Sequence, residues 1–460
     1  MEHRRDDGAE RQQHARLYLH PLHKKVVGHS PMAGRDLEKE FVCLGDADNT
    51  EGQPQDLKAL SPVDLINGQL AVMSCSSRKT KCTIPVQLRE AVLGHNPWSG
   101  LPVIALASSS SPGSRWLILV DGDTDAARFV LGAMARFGAI RRDFSAEYII
   151  NTNRLGKGAT AAVFGVVEKQ SRYEGCVGGL VGKVLLQASP EERAGDVPTD
   201  IRQEVTTLAA VQRHPNVVEF HGLFHVADHS QRLASPWLLL LECCDGGDLF
   251  DAVHARTFSE ERARDTMAGV LSALAHVHRR RIIHRDIKPE NVLIAGDGRA
   301  VLSDFGIACY LDDAQEMERT CGTPGYAAPE IIDKRPYQET VDCFGCGALA
   351  FFLICGRTPF AGPHLDAVLL NTQRCIVDFG VSRRFQGVTG HCKDIILALL
   401  KKMPRQRLSA EDALKHRWIT QEPAESPRPT PMSYVRSESM VANCFVQPFG
   451  EEGEKGEEGE

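Results

Sequence analysis

The sequence predicts an α+β protein, with strand-rich segments leading into a region dense in polar chemistry. Three observations predict it. Apolar stretches of strand length recur between turn signals up to about residue 242. A helix-period pattern interrupts them after Asp123, and another apolar helical stretch surrounds Cys343 and Cys346. Finally, His284-Arg285-Asp286-Ile287-Lys288-Pro289-Glu290-Asn291 is followed, after a short hairpin, by Asp304-Phe305-Gly306.

Length and charge bound the function. At 460 residues the chain can hold two or three domains. Of the net charge of −7, the Glu451–Glu460 run contributes −5, so the rest is nearly balanced. A nucleic-acid binder needs a basic field, so nucleic acid is not an expected partner. The charged stretch from Met1 to Arg16 lacks the apolar core of a signal peptide, and Ala348–Cys355 is too short to span a bilayer. Fourteen cysteines without metal spacing suit reduced thiols, with Cys343 and Cys346 read as two buried thiols. These features place the chain in the cytoplasm, with recruitment to the nucleus or a membrane surface left open.

Four regions follow in order. Residues 1–40 are polar and His-rich and read as a disordered lead. Residues 41–142 read as a small β-rich domain, with strands at Leu101–Leu106 and Arg115–Val120 and a turn over Ser108–Ser114. Its closing helix is capped by Asp123 or Thr124, with Phe129, Val130, Ala133 and Met134 on one face. Residues 148–419 carry the chemistry, and 420–460 read as a disordered acidic tail.

Within the third region, Leu155-Gly156-Lys157-Gly158 joins strand-like Tyr148–Thr152 to Val163–Glu168. Glycines there let backbone N–H groups approach phosphate oxygens, although a lone GxG is also an ordinary hairpin turn. Lys183 is embedded in the apolar strand Val181–Leu185, and Glu204 lies in the helix that follows. An acid that can take a hydroxyl proton (Asp286), a lysine two residues on, an asparagine five on and a second acid after a hairpin are the parts phosphoryl transfer from ATP requires.

With these residues the chain resembles the eukaryotic protein kinase family over 148–419. The resemblance implies a bilobal fold, with a small β-rich lobe at 148–241 and a large helical lobe at 245–419. It implies ATP and Mg2+ as cofactors and Ser/Thr hydroxyls of proteins as acceptors. Asp286 would orient and deprotonate the acceptor, Lys288 would neutralise the transferring group, and Asn291 and Asp304 would hold magnesium. Lys183, paired with Glu204, would meet the phosphates. Leu155, Gly156, Lys157, Gly158, Val163, Val181 and Leu293 would surround ATP, with Leu241 as gatekeeper and the backbone of Glu242 and Cys244 bonding adenine. Leu208 would pack toward Phe305, Glu330 would pair with Arg407, and Asp342 would brace the catalytic loop.

Lys288 and Thr323 are what serine/threonine kinases carry, and Pro289-Glu290-Asn291 and Gly322–Glu330 look most like the calcium/calmodulin-dependent kinase group. Glu290 and Asp248 stand where basophilic relatives read an Arg three residues before the acceptor, though both could be solvated or bind ribose. The position for an Arg two residues before is Phe352. Ala161, Val181, Phe344-Gly345 and Met403 depart from the family pattern without touching a metal, lysine or base position. A catalytically silent scaffold is the alternative reading. Arg285 normally needs a negative partner. Thr320 is the best phosphosite candidate, one position after the usual place, which here is Arg319. Alternatively, Asp312, Asp313, Glu316 or Glu318 supplies constitutive charge.

Calcium and calmodulin control are not supported. Asp121–Asp125 starts like an EF-hand loop, but its sixth and twelfth positions are Ala126 and Gly132. The tail also lacks a basic amphipathic helix. Trp116–Asp121 followed by Ala126–Leu131 is similar to the last strand and closing helix of a pleckstrin homology domain, with Phe129 for its usual Trp, although another small β-rich domain fits as well. On that resemblance Arg78, Lys79 and Lys81 would meet phosphoinositide headgroups; a solvated turn explains them equally.

Overall fold

The computed structural model describes residues 16–21, 61–66, 69–73, 80–95, 102–108, 115–121, 124–157, 161–169, 179–186, 196–226, 233–255 and 258–421. Most of the lead, the tail, the 109–114 turn, Arg78, Lys79, Asp123, Gly158 and the side chains of Lys81 and Lys157 lie outside the described residues.

The N-terminal domain holds β1 (Arg16–Pro21), β2 (Ser61–Ile66), β3 (Gln69–Met73), β4 (Thr80–Pro85), β5 (Arg89–His95), β6 (Pro102–Ser108) and β7 (Arg115–Asp121). Its strands run antiparallel in the order β4-β3-β2-β1-β7-β6-β5. Strand β1 corrects the expectation of a wholly disordered lead. Leu17 and Leu19 alternate with polar residues, enough to pair with both β7 and β2 in a polar, His-rich context.

Helix α1 (Thr124–Arg136) covers this sheet with Ala127, Val130, Leu131, Met134 and Ala135 buried. The expected face is thus rotated. Phe129 is 70% exposed and Ala133 only half-buried. Two residues on from Ala127, Phe129 falls on the opposite side of a 3.6-residue helix.

Strand β8 (Ile140–Arg141) then runs parallel to β5 on one side and to a strand of the next lobe on the other. Two residues thereby join two domains into one 13-stranded sheet. The chain turns through α2 (Phe144–Glu147), where buried Arg141 is clamped by Asp143 at 2.6 Å and Glu147 at 2.7 Å. Burial opposes the Arg141 charge, but these two acids raise its pKa.

The small lobe comprises β9 (Tyr148–Lys157), β10 (Ala161–Glu168), β11 (Leu180–Leu185), α3 (Thr199–Ala210), β12 (Phe220–His225) and β13 (Trp237–Glu242), in the sheet order β12-β13-β11-β10-β9. Strand β8 pairs with β12.

The large lobe begins with α4 (Leu249–Ala255) and α5 (Glu260–Arg279). Ser259 caps α5 by accepting the Arg262 N–H, two acids fill its first turn, and Ala263, Met267, Val270, Leu271 and Leu274 are buried at helical spacing. Short strands β14 (Ile282–Ile283), β15 (Val292–Ile294), β16 (Ala300–Leu302) and β17 (Cys309–Tyr310) carry the polar loops. Next come α6 (Ala314–Met317), α7 (Pro329–Ile332) and α8 (Thr340–Cys355). Residues Val341–Ile354 of α8 are all buried, the mark of a central helix, and Gly356 ends it in a left-handed cap at φ 73°. Helices α9 (Leu365–Arg374), α10 (Gly390–Leu399), α11 (Ala410–Leu414) and α12 (Arg417–Thr420) complete the lobe.

Arg407 reaches Glu330 through two hydrogen bonds of 2.7 and 3.1 Å, both side chains being buried, and lies 5.0 Å from the centre of the Phe344 ring. Glu330→Ala would leave that buried guanidinium unpaired. It is expected to cost about 3–5 kcal/mol, read as a lower urea midpoint; a loss below about 1 kcal/mol would contradict a structural role for the pair.

Candidate active site

Strand β11 aims Lys183 at two acids. Its Nζ donates to Glu204 of α3 at 2.6 Å and to Asp304 at 2.8 Å. The two carboxylates push Lys183 upward despite its burial, while burial pushes Glu204 up against the pull of Lys183. The lysine faces two acids and Glu204 a single base, so the lysine charge is the firmer of the two. The Lys183 ammonium in turn holds Asp304 down to about 2. Leu208, one turn beyond Glu204, shares the main core with Phe305.

A second cluster gathers on the loop between β14 and β15. Asp286 Oδ1 accepts from the Thr323 hydroxyl at 2.6 Å; Oδ2 accepts from Asn291 at 2.9 Å and faces Lys288 at 2.7 Å. Lys288 also donates to Thr323 at 3.0 Å. The carboxylate is thus locked in one orientation by groups from three positions, which suits a base that must meet a hydroxyl proton in a fixed geometry.

The loop itself hangs from Asp342 of α8. Its Oδ2 accepts the His284 N–H at 2.9 Å and His278 Nε2 at 2.8 Å, and its Oδ1 accepts the Arg285 N–H at 2.8 Å. Burial pushes Asp342 up, but these donors prevail and keep it below the usual carboxylate range. A Cβ on Gly345 would lie 2.9 Å from the Ile287 Cβ, so α8 can approach the loop this closely only without a side chain there. His284 bonds the Ser303 carbonyl at 2.9 Å and meets Phe305 edge-on at 4.9 Å.

Among the described residues no group of three or more His, Cys, Asp or Glu could hold a metal. Asn291 and Asp304 offer only two hard oxygen ligands. That set fits Mg2+, which commonly takes one or two protein oxygens and completes its shell with substrate phosphates and water. Asp304 sits at φ 59°, an uncommon conformation for a non-glycine residue and one that clusters at functional sites.

Arg285, also at positive φ, is fully buried. It donates to the Ile307 carbonyl at 2.6 Å, the Glu316 carbonyl at 2.5 Å, the Glu316 carboxylate at 2.7 Å and the Tyr337 hydroxyl at 3.3 Å. Glu316 also accepts from Arg319 at 2.8 Å and from Gln203 of α3 at 3.3 Å. Burial raises Glu316, and the bonds from Arg285, Arg319 and Gln203 outweigh it. Sequence reasoning held Glu316 as one of four equivalent acids and missed Gln203 and Tyr337; no local motif distinguishes them. Thr320 is exposed.

The remaining expected positions fall as follows. Val163 pairs with Lys183 and Val181 with Leu241 across the sheet, and Leu293 lies half-buried on β15. The Glu242 carboxylate is engaged by Arg299 at 3.1 Å and by the Glu219 N–H at 2.8 Å, and its own backbone N–H donates to the Glu219 carbonyl at 3.0 Å. Leu155 and Gly156 are exposed at the end of β9. Glu290 is exposed, while Asp248 caps α4 by accepting the Asp251 N–H at 2.8 Å. Phe352 is buried and stacked on Phe250 at 5.9 Å.

A family model described as a protein kinase domain matches residues 149–419. The chain is similar to a "Probable myosin light chain kinase" of Dictyostelium discoideum, 30% identical over 306 residues, covering 65% of this chain and 91% of that one. It is also similar to human "Calcium/calmodulin-dependent protein kinase type 1B", 31% identical over 285 residues, covering 60% and 76%. "Calcium/calmodulin-dependent protein kinase cmkA" of Emericella nidulans is 33% identical over 279 residues, covering 59% and 63%.

The depressed Asp304 pKa carries a pH signature. Its folded value of about 2 lies below the unfolded value of about 3.9, so the stabilisation is complete above the latter and fades as pH falls toward 2. Between pH 4 and 2 the wild type is expected to lose stability relative to Asp304→Asn. Parallel acid-denaturation curves for the two proteins would rule this out.

Proposed function

The chain belongs to the protein kinase family, and from that premise we propose how it works: it transfers the γ-phosphoryl of ATP to protein Ser/Thr hydroxyls from an activation segment held by its own Glu316. The observation that carries the reading is the joint engagement of Lys183 by Glu204 and Asp304, which brings the small lobe, α3 and the metal-binding acid into one working arrangement.

Each side chain then has a task that its geometry supports. Lys183 presents a fixed positive charge to the nucleotide phosphates. Asp286 receives the acceptor hydroxyl proton, and Lys288, bonded to Thr323, offsets charge on the transferring group. Magnesium, when bound at Asn291 and Asp304, neutralises phosphate charge. The Lys288–Thr323 pair is the feature that supports Ser/Thr acceptors.

Glu316 stands where an added phosphate would otherwise serve Arg285. A carboxylate there links the catalytic loop, α3 and the activation segment without modification. Substrate choice rests on Glu290. It is exposed beside the catalytic loop, whereas Asp248 is partly committed to its cap and Phe352 offers no charge, so the expected preference is mild and for Arg at minus three only. The seven described strands and closing helix of the N-terminal domain support a pleckstrin homology-like reading; phosphoinositide-dependent flotation of the full chain with liposomes tests it, and its absence removes lipid as a partner.

Incorporation of γ-phosphate into a basic peptide with Mg-ATP should exceed background for wild type and fall about 10²–10⁴-fold in Asp286→Asn. Wild-type transfer no greater than that of Asp304→Asn would point to the silent scaffold instead. Thr320→Ala should keep full activity, while Glu316→Ala should lose most of it. The reverse pattern, with phosphate mapped to Thr320, would sink the role given to Glu316.

A further inference from the structure

We propose that the N-terminal β-domain is a built-in brace for α3, with Gln87, Leu88 and Gly138 acting as positioning residues for the Lys183–Glu204 pair. The inference rests on the kinase reading and deepens it, by naming what holds α3 inward.

Two turns of the N-terminal domain meet α3 at the residues following Glu204. The turn between β4 and β5 is closed by the Arg89 N–H on the Val86 carbonyl at 3.2 Å, and it places Gln87 Nε2 3.5 Å from the Thr206 carbonyl. Leu88, in this turn, packs against the core that contains Ile201, Val205 and Leu208 of α3. The turn after α1 lies alongside, with the Leu88 N–H donating to the Gly138 carbonyl at 2.7 Å. A Cβ on Gly138 would sit 3.0 Å from Val205 Cγ1 and 3.2 Å from Gln87 Cγ, and its φ of 86° already favours glycine. The two turns therefore close on α3 to van der Waals distance.

The contact is anchored from behind. Strand β8 is hydrogen-bonded into both sheets, Arg142 pairs with Glu90 of β5 at 2.5 Å and meets His225 of β12 at 3.1 Å, and Arg213 lies 5.7 Å from the Phe137 ring centre. For Glu204 to swing away from Lys183, Val205 and Thr206 would have to slide past Gly138 and Gln87, which the shared sheet holds in place. Outward movement of α3, a common way for two packed elements to switch, is thereby opposed by the chain's own N-terminal half.

The test uses the full chain. Leu88→Ala should lower kcat/KM for ATP about tenfold, yet change little when Glu204→Gln has already broken the pair. An equal fall in both backgrounds means general destabilisation and overturns the proposal, as does no fall at all. Should Leu88→Ala fail to fold, a charge exchange decides. Glu90→Arg and Arg142→Glu should each lower activity and restore it when combined; unchanged single variants, or no restoration, overturn it. Amide hydrogen exchange over residues 201–208 gives a reading free of activity. Protection lost in the weakened variants supports the brace and unchanged protection refutes it, whereas absent wild-type transfer would fail only the kinase reading.

Discussion

Lys183 carries a charge that burial makes costly, and the rest of the active site is arranged around meeting that cost. An ammonium taken out of water loses several kcal/mol of solvation, which attraction to well-placed acids can offset only at contact distance. Here two carboxylates supply it, and they come from elements with no local reason to be near each other. Glu204 rides on α3, and Asp304 follows the β16 hairpin of the other lobe. Satisfying one buried cation therefore fixes the lobes and α3 against each other. Asp304 is half exposed, whereas Glu204 is buried against the lysine.

The same logic repeats at Arg285 with different consequences. Its guanidinium is fully buried and cannot shed its proton, so something negative or carbonyl-rich must face it. Two carbonyls, the Tyr337 hydroxyl and the Glu316 carboxylate together satisfy that need. Glu316 in turn reaches Gln203, on the residue preceding Glu204. The two buried cations are thus joined through adjacent residues of α3, which is held once by an ion pair and once by a hydrogen bond from a neutral amide.

How much of this could be read from the sequence depended on whether the information was local. Asp286, Lys288, Asn291 and Asp304 lie within nineteen positions, a grouping compact enough to suggest phosphoryl transfer, while the role expected of each came from the family resemblance. The Glu330–Arg407 and Lys183–Glu204 pairs join distant positions, and they were legible because a family resemblance supplied the pairing. Glu316 was not, since Asp312, Asp313, Glu316 and Glu318 carry the same charge within one short segment and only the three-dimensional turn at α6 selects among them. Strand β8 is two residues long, below any pattern a sequence window resolves, yet it merges the two sheets. The rotated face of α1 has a similar cause: Phe129 is apolar, but its register points it to solvent.

Leu88 shows why the junction between domains is more than a linker. A β-carbon-bearing residue at φ 54° sits in a region that costs about 1–2 kcal/mol, and nothing in the turn's own chemistry requires it. Asn or Gly would adopt it at less expense. What the leucine adds there is a side chain packed against the core shared with α3, while its N–H meets the Gly138 carbonyl. Local strain persists only where the surroundings over-determine it, and the surroundings that do so here belong to two domains at once. A domain boundary held in that way behaves as part of the catalytic lobe's own core, so that the N-terminal strands and α3 are coupled elements of one folded unit.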